Sequence, residues 1–218
     1  MVERLKVMID LFAGLGGASQ AFVDDPNWFV IRIDNNPILL EHTEGLILSD
    51  IADVDRTMAI THRRILDHRN NVHVTGDPNE MTLEKLVIWA SPPCVQYSLA
   101  NMNRDPNNFD HTLLQAALTI IDQMNPNAWI IENVKGAIES FNEIIGLPWC
   151  QSIGPIFLWG QFPILSFKDA SSRTHYKMLD KGSRALRPNL RALIPYSVSE
   201  AYKLSIECQK TLLDDVWN

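Results

Sequence analysis

Short apolar runs recur along the chain, and each ends in a polar or Gly/Pro-rich turn. Residues 5–11 (LKVMIDL) lead into Ala13-Gly14-Leu15-Gly16-Gly17, with helix-compatible residues over 18–23. Residues 28–33 (WFVIRI) read as a second buried strand, closed by Asp34-Asn35-Asn36-Pro37. A third run, 46–48 (LIL), ends at Ser49-Asp50, and 86–90 (LVIWA) and 128–131 (AWII) are the fourth and fifth. Before the fifth, apolar residues at 113, 114, 117, 118, 120, 121 and 124 make the stripe of an amphipathic helix. Asp110 is placed to begin that helix and Asn125-Pro126 to stop it. Residues 56–83 read as a helix and a loop inserted before the fourth strand. Beyond Gly154 the aromatics, prolines and arginines follow no clean period, and there are no internal repeats or low-complexity tracts.

Short apolar strands alternating with helical segments predict an α/β fold, a doubly wound and mainly parallel sheet. Ligands in such sheets bind beyond the carboxyl ends of the strands. The punctuation after all five strands should therefore share one rim, and the candidate chemistry belongs there.

A chain of 218 residues suffices for one well-buried domain with a small appendage. No apolar run approaches the roughly 20 residues of a membrane span, and MVERLKVMIDLF lacks a signal-peptide layout. Cys94, Cys150 and Cys208 are odd in number and far apart. They suit a reducing cytoplasm and point to neither a disulfide framework nor a metal site. The net charge of −7 argues against a protein that coats nucleic acid. Its distribution is uneven, however: six of the 19 Lys/Arg and only one of the 26 acids lie between Arg173 and Arg191. An acidic body with one basic segment fits a polyanion held at one face, although a solvated loop gives the same pattern.

The turn DLFAGLGG permits positive φ and close approach of a ligand to the backbone. It lacks the GxxxxGK[ST] pattern of a phosphate-binding loop. Asp34, at the end of the second strand, is placed either for a ribose or for a helix cap. Ser91-Pro92-Pro93-Cys94 follows the fourth strand, and two prolines stiffen a turn that presents the thiol at the rim. Glu132-Asn133-Val134 closes the fifth strand and sets a carboxylate there, which is costly to bury without a partner.

DLFAGLGG, SPPC and ENV, in that order, resemble the DNA (cytosine-5) methyltransferases over roughly residues 5–137. The resemblance implies a Rossmann-like domain over 1–145 that binds S-adenosylmethionine (S-adenosyl-L-methionine). A short segment, 146–218, would carry a DNA-contacting basic region. Asp10, Phe12, Gly14, Gly16 and Gly17 would form the cofactor turn, and Asp34 would hold the ribose. Asp50 and Ile51 would meet the adenine, with Gly76-Asp77 a competing match, and Pro92, Leu113 and Leu114 would line the pocket. Cys94 would be the nucleophile, and Glu132 would grip the target cytosine's ring nitrogen and amine. The implied partner is double-stranded DNA with the cytosine flipped out, bound by a monomer.

The resemblance has gaps. The family's Gln-x-Arg-x-Arg motif after ENV is missing, because Gly154–Gly160 (GPIFLWG) occupies its place. Arg173, Arg184, Arg187 and Arg191 are the candidates for DNA contact and for a substitute arginine. Residues 184–200 resemble the C-terminal stretch of small, phage-type members, and no C-terminal motif that would complete the cofactor pocket is evident. With no room for a large recognition domain, the target should be short or loose. Rival readings are an amino methyltransferase, whose [DNS]PP-aromatic turn is met except at Cys94, a non-catalytic relative, and an enzyme of RNA or nucleotides.

Overall fold

The computed structural model describes residues 4–72, 82–167 and 184–209. Its centre is one seven-stranded sheet, ordered β3-β2-β1-β4-β5-β7-β6. The parallel strands are β1 (Arg4–Leu11), β2 (Trp28–Asp34), β3 (Leu46–Leu48), β4 (Thr82–Ala90) and β5 (Ala128–Val134). The last two, β6 (Gln151–Ile153) and β7 (Ile156–Gln161), form an antiparallel hairpin, and β7 runs antiparallel to β5. The sheet thus continues past residue 145, and the hairpin belongs to the same layer as the parallel strands.

Side-chain alternation along each strand splits the core in two. Val7, Ile9 and Leu11 of β1 face one cluster with Ile88, Ala117, Ile120, Ile131 and Phe141. Met8 faces the other, with Trp89, Ile130, Leu158, Val198 and Tyr202. The helices α2 (Val54–Val72), α3 (Thr112–Met124) and α4 (Ile138–Ile145) cover the first face. On the second lie α1 (Gln20–Val23) and α6 (Tyr196–Glu207), with α5 (Arg187–Ala192) just before α6. Helices on both faces of a mainly parallel sheet are the expected doubly wound arrangement.

Three expectations change. The helix expected over 18–23 is a single turn beginning at Gln20, because the Ser19 side chain is engaged below it and Asp25-Pro26 closes it. The fourth strand starts at Thr82 rather than 86: its first half is polar, and Lys85 Nζ donates to the Ile206 carbonyl at 2.7 Å. His111, not Asp110, is the residue preceding α3, while Asp110 Oδ1 accepts the Thr112 N–H. At the other end Asn125 adopts φ +45° and its N–H reaches Ile121, a left-handed cap.

The aperiodic tail contains the largest surprise. In α6, Val198, Ala201, Tyr202 and Ile206 are buried against the sheet. Buried Ser199 accepts the Ala21 N–H at 3.0 Å and donates to the Ala18 carbonyl at 2.7 Å. Lys203 adds an ion pair with Asp25 at 2.7 Å. A helix nearly 180 residues away in sequence thereby holds the start of α1.

Candidate active site

Strand order reverses between β1 and β4, so the crevice at their carboxyl ends is the switch point of the sheet. Two turns meet there. Ala13 N–H bonds the Ile33 carbonyl, and Ser91 N–H bonds the Leu11 carbonyl at 3.2 Å. These bonds lay the Gly-rich turn over β2 and the Ser-Pro-Pro-Cys turn against β1.

Phe12 and Gly14 take φ of +61° and +54°. For a bulky residue such as Phe12 this is an outlier, and such strain concentrates at functional sites. A Cβ on Gly14 would find nothing nearer than the Phe12 carbonyl oxygen at 4.0 Å, so the space over the turn is open. The Gly14 N–H donates to Asp34 Oδ2 at 2.9 Å and the Asn36 N–H to Oδ1 at 2.9 Å. Each oxygen keeps a free lone pair for a ligand hydroxyl.

The other glycines of the turn serve packing. A Cβ on Gly17 would collide with the Ile194 carbonyl oxygen, and one on Gly16 would meet the Arg32 guanidinium at 2.7 Å. Residues 193–194 before α6 thus seat the turn, although no C-terminal pocket motif was evident in the sequence. Asp10 is likewise placed beneath the turn instead of facing a ligand. It is only 1% exposed, it accepts the Ser19 hydroxyl at 2.6 Å, and burial pushes its carboxyl up to about 6.

Asp50 is exposed at the end of β3 and lines a cavity of about 180 Å³ with Asn35, Leu48, Ser49 and Arg56. Its neighbour Ile51 is 1% exposed and belongs to the core. The competing Gly76-Asp77 lies outside the described residues. A larger cavity, about 330 Å³, is lined by Pro92, Pro93, Tyr97, Asp110, Leu113 and Leu114, among others. Half-buried Leu113 borders it, whereas Leu114 is chiefly core.

Cys94 is half-buried just beyond β4, and its carbonyl accepts the N–H groups of Tyr97 and Ser98. Asn133 reaches across from β5, donating from Nδ2 to the Pro92 carbonyl at 2.9 Å. Glu132 keeps part of its surface open at the rim, yet its surroundings are strongly desolvating. Burial pushes its carboxyl up to about 7, against a lowering hydrogen bond from Ser91. Burial also raises the Cys94 thiol, and the charge of Glu132 raises it further. The two groups therefore feel each other, and the resting site favours a neutral thiol beside a protonatable acid.

The place of the missing arginine is now visible. Glu132 pairs with Leu158 and Val134 with Ile156 in the β5–β7 register, and the Gly154-Pro155 turn closes the hairpin at this rim. The strand neighbours of Glu132 on that side are apolar. Arg187 and Arg191 stand exposed on α5, next to the 193–194 segment that seats the glycine turn. Arg173 and the side chain of Arg184 lie outside the described residues.

A doubly wound sheet with an acid-backed glycine turn, and with a thiol and a carboxyl beyond neighbouring strand ends, defines the class of α/β domains with a crevice at a switch point. Within that class the chain belongs to the C-5 cytosine-specific DNA methylase family, whose model matches residues 7–151. No curated protein sequence matches the chain. Solved structures similar to it include the Entamoeba histolytica methyltransferase EhMeth (17% identity, TM-score 0.45, 76% of this chain and 55% of that one). A protein encoded within an E. coli prophage, described as a DNA modification methyltransferase, shares 16% identity at TM-score 0.41, over 65% of this chain and 36% of that one. The S. pombe Dnmt2 methyltransferase shares 20% identity at TM-score 0.34, over 62% and 36%. The chain thus spans little more than half, or about a third, of these proteins' lengths.

Proposed function

We propose that this chain methylates carbon-5 of cytosine in DNA, using S-adenosylmethionine and a covalent adduct at Cys94. The observation that carries the reading is that Asn133 Nδ2 holds the Pro92 carbonyl at 2.9 Å, which ties the turn bearing Cys94 after β4 to the end of β5 that bears Glu132.

The open face over Gly14 and the free lone pairs of Asp34 fit the cofactor, and no metal is needed. Phe12, Gly14 and Asp34 would hold its sugar end, Asp50 its base, and Pro92 and Leu113 the methionine side. Bound there, S-adenosylmethionine supplies an electrophilic methyl group. The rest of the chemistry falls to the protein. Carbon-5 of cytosine is a poor nucleophile until the Cys94 sulfur adds to carbon-6, its thiol proton passing to water as the carbon–sulfur bond forms. Glu132, held near neutrality, hydrogen-bonds the ring nitrogen and delivers a proton as negative charge develops there. Once carbon-5 is methylated, its own proton leaves to water, the carbon–sulfur bond breaks and Cys94 is released. The base must first leave the duplex, at a cost of a few kcal/mol.

The half-buried thiol, raised and without a cation among its strand neighbours, is a slow nucleophile at rest. Activation then depends on the DNA complex, with Arg187, Arg191 or another arginine of the basic segment as the source of positive charge. The test is a covalent adduct on 5-fluorocytosine-containing duplex in the presence of S-adenosylmethionine, stable to denaturing electrophoresis. Transfer to an exocyclic nitrogen with no trapped adduct would overturn the carbon-5 mechanism.

A further inference from the structure

Arg32 is a charged residue in the middle of the rim-facing half of β2, yet it is only 3% exposed. It sits on the same sheet face as Trp28 and Val30, directly across from Asp10 in the β1–β2 register. Its whole fork is used. Nε donates to Ser19 Oγ at 2.8 Å, Nη1 to the Glu44 carbonyl at 3.2 Å, and Nη2 to the Gly16 carbonyl and Gln20 Oε1, both at 3.0 Å. Ser19 passes the connection on to Asp10. The space that a Cβ of Gly16 would need is filled by the guanidinium.

These bonds complete a pattern in the turn above. The Ala13 carbonyl accepts the Gly16 N–H at 2.7 Å, and the Gly14 carbonyl accepts Thr43 Oγ1 at 2.8 Å. The Gly16 carbonyl is the one held by Arg32. A glycine turn has much conformational freedom to lose, and preorganising it lowers the cost of binding. Stability alone is a weak reason for the arrangement. Two buried opposite charges, here bridged by Ser19, are often no better than apolar groups of similar volume, whereas only a planar fork reaches Ser19, Gly16 and Gln20 together.

We propose that Arg32 is a positioning residue for the cofactor: from below the sheet rim it sets the Gly14–Gly16 backbone in its binding shape without touching the ligand. The inference rests on the cofactor reading of this turn.

The test uses the full chain and calorimetric titration with S-adenosylmethionine, alongside thermal melting. Arg32→Met is expected to weaken cofactor binding by about tenfold or more, raising the cofactor KM while kcat at saturating cofactor stays within threefold. Arg32→Met also leaves Asp10 without its counter-charge and destabilises the fold. The double variant Asp10→Asn/Arg32→Met removes both charges, and it should recover most of the melting temperature but not the affinity, since the Gly16 carbonyl remains unheld. If affinity returns together with stability, Arg32 is only a structural ion-pair partner and the proposal is overturned. Unchanged binding by folded Arg32→Met, while the wild type binds, overturns it as well. Wild-type protein that takes up no S-adenosylmethionine would instead remove the cofactor reading itself.

Discussion

Asn133 donates to the Pro92 carbonyl at 2.9 Å, and both residues are buried, so the end of β5 is pinned to the turn that carries Cys94. The same Asn133 side chain accepts the Val134 N–H at 3.0 Å. One amide thus fixes the thiol turn relative to the strand end that carries Glu132. Asn133→Ala leaves the Pro92 oxygen unpaired in the interior, at a cost of about 1–3 kcal/mol. Turnover should fall by about 10-fold or more through misplacement of the thiol, with cofactor binding retained. Adduct formation on 5-fluorocytosine DNA, compared with calorimetry on the same sample, checks this.

Cys94→Ser should abolish methyl transfer and leave the fold and cofactor binding intact, because an alcohol is far less nucleophilic than a thiolate at neutral pH. Cys150 and Cys208 are exposed and away from the rim, so their serine variants should keep nearly full activity. Radiolabelled methyl incorporation into plasmid separates the three. Activity of Cys94→Ser within tenfold of wild type would refute the nucleophile.

Glu132 couples catalysis to stability with opposite signs. Its carboxyl value in the fold, about 7, lies above the ordinary 4.5, so the folded chain binds this proton more tightly than the unfolded chain does. That stabilisation is complete below pH 4.5 and is lost as pH rises through 7. Glu132→Gln, permanently neutral, should therefore melt higher than wild type at pH 8, by an amount on the order of 2 kcal/mol, and the difference should vanish near pH 4.5. Turnover should nevertheless drop about 10²-fold. A variant no more stable at pH 8 than at pH 5, relative to wild type, would show that burial does not burden this carboxyl.

The sheet was legible in the sequence because its central strands are buried on both faces and read as unbroken apolar runs between Gly/Pro turns. The placement of the proposed site residues was legible for a related reason: Glu132 interrupts such a run at its carboxyl end, and Cys94 follows another after a Ser-Pro-Pro turn. Asp10 misled for the opposite cause. A charged residue in an apolar strand suggests ligand contact, but Asp10 lies under the turn, where the Ser19 hydroxyl bridges it to Arg32. The helix α6 escaped notice because its inner face includes Ser199, whose bonds to residues 18 and 21 lie far away in sequence. The β6–β7 hairpin is too short to show alternation. Gly160, at φ +138°, packs on the Trp129 backbone, a contact visible only in three dimensions.

The two open questions of the cofactor turn separate by glycine. Gly14→Val forces a β-branched residue into φ +54° under open space and should remove cofactor binding with little loss of fold. Gly17→Ala drives a methyl group into the Ile194 carbonyl and should loosen α6 from α1, lowering the melting temperature whether or not cofactor is present. Titration and melting of both variants distinguish a ligand-facing glycine from a packing one.

The proposed grip on DNA would rest on the basic segment. The chain carries a net charge of −7, so most of its surface repels phosphate, and Arg187 and Arg191 stand exposed on α5, a few residues before the 193–194 segment that packs on Gly17. Each phosphate contact releases condensed counterions, so affinity should fall steeply with salt, and losing contacts should flatten the slope. Replacing Arg184, Arg187 and Arg191 together by Ala should weaken duplex binding by about tenfold or more at 100 mM salt and reduce that slope by about two to three. Cofactor binding should be preserved. A single arginine that lies beside the flipped base instead of the backbone would behave differently, lowering turnover at saturating DNA with no change in slope. The basic segment, reading bases through a few side chains, should select about two to four base pairs. Sequencing of methylated plasmid measures this directly: a strict site of six or more base pairs would mean that segments outside the basic stretch do the reading. Duplex affinity of the triple variant equal to wild type at every salt concentration would leave these arginines as a solvated surface.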